Sequence, residues 1–321
     1  MGPMGTMGKT LWLGVAFTLL GGALWGASGT SVQYLTTVVG ASPALITLMR
    51  AIVGGMAFMA LLLLRKPAVV REMLGDRRTV LPLLLFGLAL YANQICYAQT
   101  VKITNAGTAT VLQMLGSVFV MAYVCLSTRK LPRERELIGL LVAIFATLLI
   151  ACQGDVRTLA MPMDGLVWGV VNGLTVAVYV VLPKKFGLFD RFGAVAVTGI
   201  GTFFGILFAI PGYMVQEGGA LGVGGVLGAF DGAAWLVFFG GVVLAGTLGG
   251  YGFYLKGVSL VGPVKGSLLG AIEPVSAMII AALWLGTPFT GYDVAGLVLM
   301  CVMVACVSGD EEAAPAKEPP Q

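Results

Sequence analysis

The sequence predicts an all-α integral membrane protein in which ten transmembrane helices form two inverted five-helix repeats around a central cavity. Three observations predict this fold class: an apolar composition, ten apolar stretches of membrane-spanning length, and a faint internal repeat. Hydrophobic residues make up 58% of the 321 residues and charged residues only 11%, whereas about a quarter of the residues in a soluble chain are charged. We therefore expect the chain to lie in a lipid bilayer.

Each predicted span is a run of roughly 20 apolar residues, the length that crosses a bilayer core of about 30 Å. In chain order, the ten runs are 11–34, 43–64, 79–99, 105–127, 135–152, 164–182, 193–214, 233–255, 262–285 and 290–308. The predicted organisation is a short cytoplasmic segment or tag remnant at 1–10, a first repeat at 11–152, a linker loop at 153–163, a second repeat at 164–308 and a disordered cytoplasmic tail at 309–321.

Turn and charge signals separate the predicted spans. Ser42-Pro43 opens the second span, and Arg65-Lys66-Pro67 closes it before a predicted loop at 65–78. Arg129-Lys130-Leu131-Pro132 separates the fourth span from the fifth, Gly262-Pro263 opens the ninth, and Thr287-Pro288 ends it. Glycine and proline are typical of such boundaries, because glycine permits unusual backbone angles and proline cannot continue a helical hydrogen-bond ladder.

The internal repeat relates residues 97–140 to residues 254–297 at a constant offset of 157 positions. Identical residues coincide at Tyr97/Tyr254, Val101/Val258, Val118/Val275, Met121/Met278, Leu126/Leu283, Gly139/Gly296 and Leu140/Leu297. Five spans in each half would place the two copies in opposite orientations, since an odd number of crossings reverses the chain. Inverted repeats around a central cavity are typical of secondary transporters.

The distribution of Lys and Arg predicts the orientation. With the N-terminus inside, 15 of the 19 basic residues fall in cytoplasmic segments, as short cytoplasmic loops of membrane proteins generally require. The predicted outer loops hold Lys102 and Arg157, and Arg50 and Lys265 lie within spans. We expect a multi-pass protein of the cell (plasma or inner) membrane with both termini in the cytoplasm.

Composition also limits the chemistry that we expect. The chain contains no histidine, and its five cysteines all fall in apolar stretches, so we predict no metal site, no disulfide and no cofactor. Gly26-Ala27-Ser28-Gly29 resembles the surroundings of the serine in intramembrane proteases, but a serine nucleophile needs a base to accept its proton. We predict that the protein is not an enzyme and binds no nucleic acid.

Three ionisable residues inside predicted spans are candidates for function, because charges are costly in the bilayer. Glu273 lies midway along the ninth span and is followed by Pro274, which frees a backbone carbonyl one turn earlier. Lys265 lies near the cytoplasmic end of the same span, where a long side chain can also extend to water. Arg50 lies in the second span, where it could face the cavity, cap a neighbouring helix or pair with a carboxylate, and a structural role is favoured.

Polar and aromatic residues recur at helical spacing, which places them on one helix face. Trp168, Asn172, Thr175 and Tyr179 form such a row in the sixth span, and Thr247, Tyr251 and Tyr254 form another in the eighth. Tyrosines near span ends are alternatively interface anchors, as Tyr179 and Tyr254 would then be. The predicted substrate-binding residues are Trp25, Gln94, Tyr97, Gln113, Trp168, Asn172, Tyr251, Lys265 and Glu273.

The chain resembles the EamA-like branch of the drug/metabolite transporter superfamily over nearly its whole length. The resemblance is carried by Trp25-Gly26, Leu48-Met49-Arg50, Gly262-Pro263, Glu273-Pro274-Val275, Leu283-Trp284-Leu285-Gly286 and Gly296. The chain departs from the family pattern at Thr287, where a glutamate is common, at Gly116-Ser117, where a proline is common, and near Thr128, where a glutamate is common. The resemblance implies export of amino acids or related metabolites, often coupled to an ion gradient.

These observations predict an exporter of amino acids or related small metabolites that works by alternating access. Glu273 would bind a substrate amine or a coupling proton, and Lys265 would meet a carboxylate. One alternative is an uncoupled facilitator of another metabolite, such as a sugar, nucleotide, polyamine or drug. Another is a membrane enzyme or assembly factor without transport. A homodimer that packs through glycine faces is left open.

Overall fold

The computed structural model describes residues 3–155, 160–217, 228, 230–262, 266 and 269–308, and these residues form helices without a β-strand. The first half contains α1 (Pro3–Gln33) continued by a π-helical turn (Tyr34–Val38), α2 (Pro43–Arg65), α3 (Pro67–Gly75), α4 (Arg77–Ile103), α5 (Ala106–Gln113), α6 (Gly116–Thr128) and α7 (Glu134–Cys152). The second half contains α8 (Met163–Lys185), α9 (Leu188–Phe192), α10 (Ala194–Gln216), α11 (Gly232–Leu236), the π-helical segment Val237–Gly250, α12 (Tyr251–Val261), α13 (Ile272–Leu285) and α14 (Gly291–Ser308).

Seven helical stretches within the described residues are long and apolar enough to cross a membrane. They are Leu11–Val38, Pro43–Arg65, Arg77–Ile103, Ala106–Thr128, Met163–Lys185, Ala194–Gln216 and Gly232–Val261. Three shorter apolar helices accompany them, at Leu137–Cys152, Ile272–Leu285 and Gly291–Cys306. The chain is therefore a multi-pass membrane protein. Seven of the ten predicted spans correspond to helices that are long enough to cross the bilayer.

The first helix begins at Pro3, and its membrane-length apolar stretch begins at Leu11, where the first span is predicted. The predicted loop 65–78 contains the short helix α3, because Pro67 at its first position has the φ angle that a helix start requires. Two side chains of α3, Val70 and Met73, are buried in an apolar cluster with α4 and α10. Arg157 and the tail at 309–321 lie outside the described residues.

The internal repeat recurs in the helix boundaries. Adding the sequence offset to α6 and α7 gives the bounds of α13 and α14 to within one residue. Equivalent residues, Arg129 and Gly286, both end their helices in the left-handed region, with φ of 54° and 63°. The helix break at Met114–Leu115 also has its counterpart at Ala271. The fold is thus duplicated, and both copies interrupt the helix at the same position.

The contacts between helices are nearly unchanged when the two halves are exchanged. The first helix of the first half, α1, packs on α13, α12 and the π-helical segment Val237–Gly250 of the second half. Its equivalent in the second half, α8, packs on α4, α5 and α6 of the first half. The remaining repeat-related helices pack on each other, α2 on α10 and α7 on α14. This arrangement places the helices that carry the breaks at the interface between the halves.

Glycine allows α1 to approach the second half at backbone distance. A Cβ atom on Gly26 would lie 2.6 Å from the Glu273 carbonyl oxygen and 2.7 Å from the Ala277 nitrogen. A Cβ atom on Gly246 or Gly250 would collide with Ser28 or Trp25 of α1. Close packing of this kind stabilises helices in lipid, where apolar side chains gain nothing by leaving the acyl chains. These glycine faces are used within the chain, so a homodimer would need another surface.

Loop side chains fix the end of the bundle that carries α3 and α9. Asp76 begins α4, where its carboxylate accepts hydrogen bonds from the Thr79 hydroxyl (2.8 Å) and the Arg78 amide (3.0 Å). These hydrogen bonds lower the pKa of Asp76 below its ordinary value. Arg191 of the second half bonds to Glu72 at 2.8 Å. Both side chains are half-exposed, so this pair adds little stability.

Candidate functional site

Two adjoining chambers lie between the halves of the protein. The larger has a volume of about 310 Å³ and the smaller about 70 Å³. Five side chains line both chambers and so mark the passage between them: Trp25, Gln113, Tyr179, Tyr251 and Glu273. These residues come from α1, α5, α8, α12 and α13, so both repeats contribute to one cavity.

The larger chamber is mainly apolar and reaches the protein surface. Its lining includes Phe86, Leu90, Val176, Tyr254, Leu255 and Pro274. Lys184, at the end of α8, also lines it and is exposed. Small-molecule sites are generally apolar with a few placed polar groups. The chamber is therefore suited to the apolar part of a small ligand that enters from the end of the bundle where Lys184 lies.

The smaller chamber has a more polar lining than the larger one. Besides the shared residues, it is lined by Ser28, Gly29, Arg50, Asn93, Gln94 and Tyr97. It contains one cationic and one anionic side chain, Arg50 and Glu273, and no ion pair joins them in the described part of the chain. Charges held away from bulk water without an oppositely charged partner are costly, which makes this chamber a candidate binding site.

Trp25 is held rigidly at the junction of the chambers. Its indole nitrogen donates a hydrogen bond of 3.0 Å to the Gly246 carbonyl in the π-helical segment Val237–Gly250. Its ring contacts the rings of Tyr251 and Tyr254, with centroids 5.2 and 4.7 Å away. Offset and edge-on aromatic pairs of this kind are favourable. The three rings form one wall that joins α1 to α12.

Three amides form a buried network beside the cavity. Asn93 donates to the Asn172 side-chain oxygen at 2.9 Å, and Asn172 donates to the Gln113 side-chain oxygen at 3.2 Å. Asn172 is fully buried. The network connects α4, α8 and α5, and it fixes the orientation of Asn93 and Gln113, which line the chambers.

We expect Asn172→Ala to destabilise the protein by about 1–2 kcal/mol, because the change removes the buried amide that bonds to both Asn93 and Gln113. The matched control is Gln99→Ala, which removes a 3.1 Å hydrogen bond to Gln216 at an exposed position and should have little effect. Thermal unfolding of both variants in detergent micelles measures the difference. Equal melting temperatures of the two variants would show that the network does not contribute to the stability of the protein.

Glu273 lies in the first turn of α13, and residues 263–265 and 267–268 of the predicted ninth span lie outside the described residues. The helix is interrupted at Ala271, since Pro274 cannot donate to the Gly270 carbonyl. The break brings Gly270, Ala271 and Glu273 to the lining of the larger chamber. No hydrogen bond reaches the Glu273 carboxylate from the described residues. A half-buried carboxylate that faces a cavity remains available to a ligand or a proton.

The face of the bundle opposite Lys184 is closed by apolar packing and by polar contacts between the halves. Leu35, Leu45, Tyr213 and Phe238 belong to one buried cluster there. Gln33 donates to the Thr287 hydroxyl at 2.8 Å and accepts from the Ala106 amide at 2.8 Å. The rings of Tyr34 and Trp284 stack with centroids 5.3 Å apart. The cavity is thus accessible from one face of the bundle.

The structure brings most of the residues predicted as the site to this cavity. Trp25, Gln94, Tyr97, Gln113, Tyr251 and Glu273 line one or both chambers. Asn172 lies behind the wall and acts through its amide partners. Trp168 packs against the apolar cluster of the closed face, away from both linings. Lys265 lies outside the described residues.

Other lining residues were missed by the sequence reasoning. Ser28, Arg50, Asn93, Tyr179 and Tyr254 line the chambers, although Arg50 was expected to be structural and both tyrosines were also read as interface anchors. The signal that marks Tyr179 was its place in the polar row of the sixth span. Ser28 carried no such signal, because its side chain faces the cavity only once α1 is packed.

A duplicated helical bundle in a membrane, with a cavity shared by its two halves, defines the class of membrane transporters. The comparisons with known proteins then identify the family. The sequence profile of the EamA-like transporter family matches the chain twice, at residues 12–152 and 163–309. The chain therefore belongs to the EamA-like family of the drug/metabolite transporter superfamily.

Individual relatives agree with this assignment. The chain is 29% identical over 298 residues to YicL of Salmonella typhimurium strain LT2, described as an uncharacterized inner membrane transporter, covering 92% of this chain and 95% of YicL. A crystal structure described only as that of a protein matches with a TM-score of 0.60 and 17% sequence identity, over 97% of this chain and 99% of that one. This structural match concerns the fold alone.

Proposed function

We propose that the protein is a secondary carrier that exports amino acids or related small metabolites by alternating access. The observation that carries the proposal is the cavity itself, which both halves line and which the described residues close on the face that holds the Leu35 cluster. Export would require the contacts of the closed face, such as Gln33–Thr287 and Tyr34–Trp284, to break as the halves rock. The described arrangement would then be the cytoplasm-facing state.

We propose ten spans for this carrier. The short apolar helices α7, α13 and α14 would complete the seven longer ones, giving five spans in each of two repeats at 11–152 and 164–308, joined by a linker at 153–163. The two repeats would then be inverted, both termini would be cytoplasmic, and the exposed Lys184 would lie on the cytoplasmic side. The inner-membrane location of YicL supports placing the carrier in the plasma or inner membrane.

The cavity supports a substrate with an apolar or aromatic side chain. The larger chamber, at about 310 Å³, lies at the lower end of the range for small-molecule pockets, and aromatic rings form its wall. Glu273 is the carboxylate that the described residues present to it, and it would bind a substrate amine or a coupling proton. Lys265, the alternative candidate for meeting a substrate carboxylate, lies outside the described residues.

Counterflow in proteoliposomes tests the proposal. Vesicles are loaded with one unlabelled amino acid at a time, and entry of labelled phenylalanine, threonine or cysteine is followed. Transient accumulation of label with at least one loaded species would establish carrier exchange and its substrate class. Absence of accumulation across the panel, with folded and inserted protein, would contradict an amino-acid carrier and direct the search to sugars, nucleotides, polyamines and drugs, or to a function other than transport.

A further inference from the structure

Two buried hydroxyl groups that line the smaller chamber have no hydrogen-bond partner of good geometry among the described residues. They are the Ser28 Oγ and Tyr97 OH atoms, whose residues are 3% and 8% exposed. An unpaired buried polar group is unfavourable by an amount comparable to a lost hydrogen bond, so folded proteins rarely retain one without a reason. Both residues line the same chamber, which points to a polar ligand that supplies the missing partners.

Arg50 presents a fixed cation to the same chamber. Its Nε atom donates to the Thr247 hydroxyl at 3.1 Å, and that hydroxyl is fixed by donating to the Val242 carbonyl at 3.0 Å. The described residues offer no hydrogen bond to the two terminal nitrogens of Arg50. The guanidinium plane is therefore held by one edge, and its other donors remain available. A planar guanidinium matches a carboxylate particularly well.

The chamber also carries the opposite charge, on Glu273. A ligand with one charge would satisfy one of these two side chains and repel the other. A ligand with both charges, separated by a short linkage, would satisfy both. The chamber volume of about 70 Å³ holds several water molecules, which is enough for small charged groups but not for a bulky side chain.

We infer that the smaller chamber is the head-group site for a zwitterionic α-amino acid. Arg50, Ser28 and Tyr97 bind the carboxylate, and Glu273 faces the ammonium group. The side chain of the ligand extends past Trp25 and Tyr251 into the larger chamber. This inference rests on the proposed function, and it assigns the recognition of the carboxylate to residues of the first half of the chain.

Three related ligands test separately how much each charge contributes to binding. Phenylalanine has both charges, phenethylamine lacks the carboxylate, and 3-phenylpropanoate lacks the ammonium group. We expect purified wild-type protein in detergent to bind phenylalanine about tenfold or more tightly than either analogue, since a hydrogen-bonded charge pair is lost in each case. Isothermal titration measures the three affinities without requiring flux.

Substitutions then test which residues bind the carboxylate of the ligand. Arg50→Gln should remove the advantage of phenylalanine over phenethylamine, and phenethylamine should bind at least as tightly as to the wild type, because its ammonium group is no longer repelled by Arg50. Ser28→Ala and Tyr97→Phe should reduce the same advantage in part, and they remain informative if Arg50→Gln does not fold. The matched control is Lys185→Gln, which removes an exposed cation outside the cavity and should preserve the advantage.

Several outcomes would overturn the inference. One is an unchanged advantage in Arg50→Gln, Ser28→Ala and Tyr97→Phe. Another is loss of the advantage in Lys184→Gln, which would place the carboxylate at the mouth of the larger chamber. Wild-type protein that binds phenylalanine and phenethylamine equally would contradict the head-group site but leave the proposed carrier intact. Wild-type protein that binds none of the three ligands and shows no amino-acid counterflow would contradict both.

Discussion

Replacing Glu273 with glutamine is expected to abolish gradient-coupled transport while leaving folded protein. Glutamine has nearly the same shape, but it can neither carry a charge nor exchange a proton. Glu273 lines both chambers and no described residue bonds to its carboxylate, so its loss should act on substrate and coupling ion directly. We expect proton-gradient-driven flux in proteoliposomes to fall by about a hundredfold or more, the effect of losing a strong charge-assisted interaction.

The matched control is Glu217→Gln, which neutralises an exposed carboxylate at the end of α10. This variant should transport like the wild type. Size-exclusion chromatography of both variants shows whether the protein remains folded. Full coupled transport by folded Glu273→Gln protein would rule out the role of this residue and would favour an uncoupled facilitator.

The second large effect is expected at Gly26, where α1 meets α13. A methyl group at this position would lie within 2.7 Å of two backbone atoms of α13, the Glu273 carbonyl oxygen and the Ala277 nitrogen. Backbone atoms within a helix cannot move aside as a flexible side chain can, so α1 and α13 must separate. We expect Gly26→Ala to destabilise the protein by about 1–3 kcal/mol and to reduce transport, because the displaced segment carries Glu273.

Gly252→Ala is the matched control for this substitution. Gly252 is also within a helix, but a Cβ atom there would meet nothing within 4 Å. Alanine should therefore be neutral or stabilising by about 0.5–1 kcal/mol, because it favours the helix more than glycine does. Thermal unfolding in detergent micelles compares the two variants. Equal melting temperatures would show that close packing of α1 on α13 does not limit stability.

Several features of the fold could be predicted from the sequence because they depend on local composition. Membrane spans follow from the length of apolar runs, since the bilayer excludes unpaired backbone groups and long charged stretches. The duplicated fold followed from a constant spacing of identical residues, which the helix boundaries of α6, α7, α13 and α14 reproduce. Proline and glycine likewise marked the starts and ends of helices. The length criterion for a span is met by seven of the ten predicted stretches, because the apolar parts of α7, α13 and α14 are shorter.

The candidate site could be predicted only in part. Glu273, Tyr251, Trp25 and Gln113 were identifiable because a charge or a polar row inside a membrane helix requires a protected environment. Trp168 looked equivalent by its spacing, but it packs against the closed face. Helical periodicity shows which residues share a face, and it does not show which neighbour that face meets.

The sequence by itself determined that the chain is a membrane protein with two related halves, because composition and repeat spacing are properties of the linear chain. Only the tertiary structure decided which side chains meet across the halves. Arg50 and Glu273 are 223 positions apart in the sequence, and they line one chamber because glycines let α1 approach the second half and a proline interrupts α13. Packing at backbone distance and the resulting depth of each side chain are long-range properties, which no local pattern specifies.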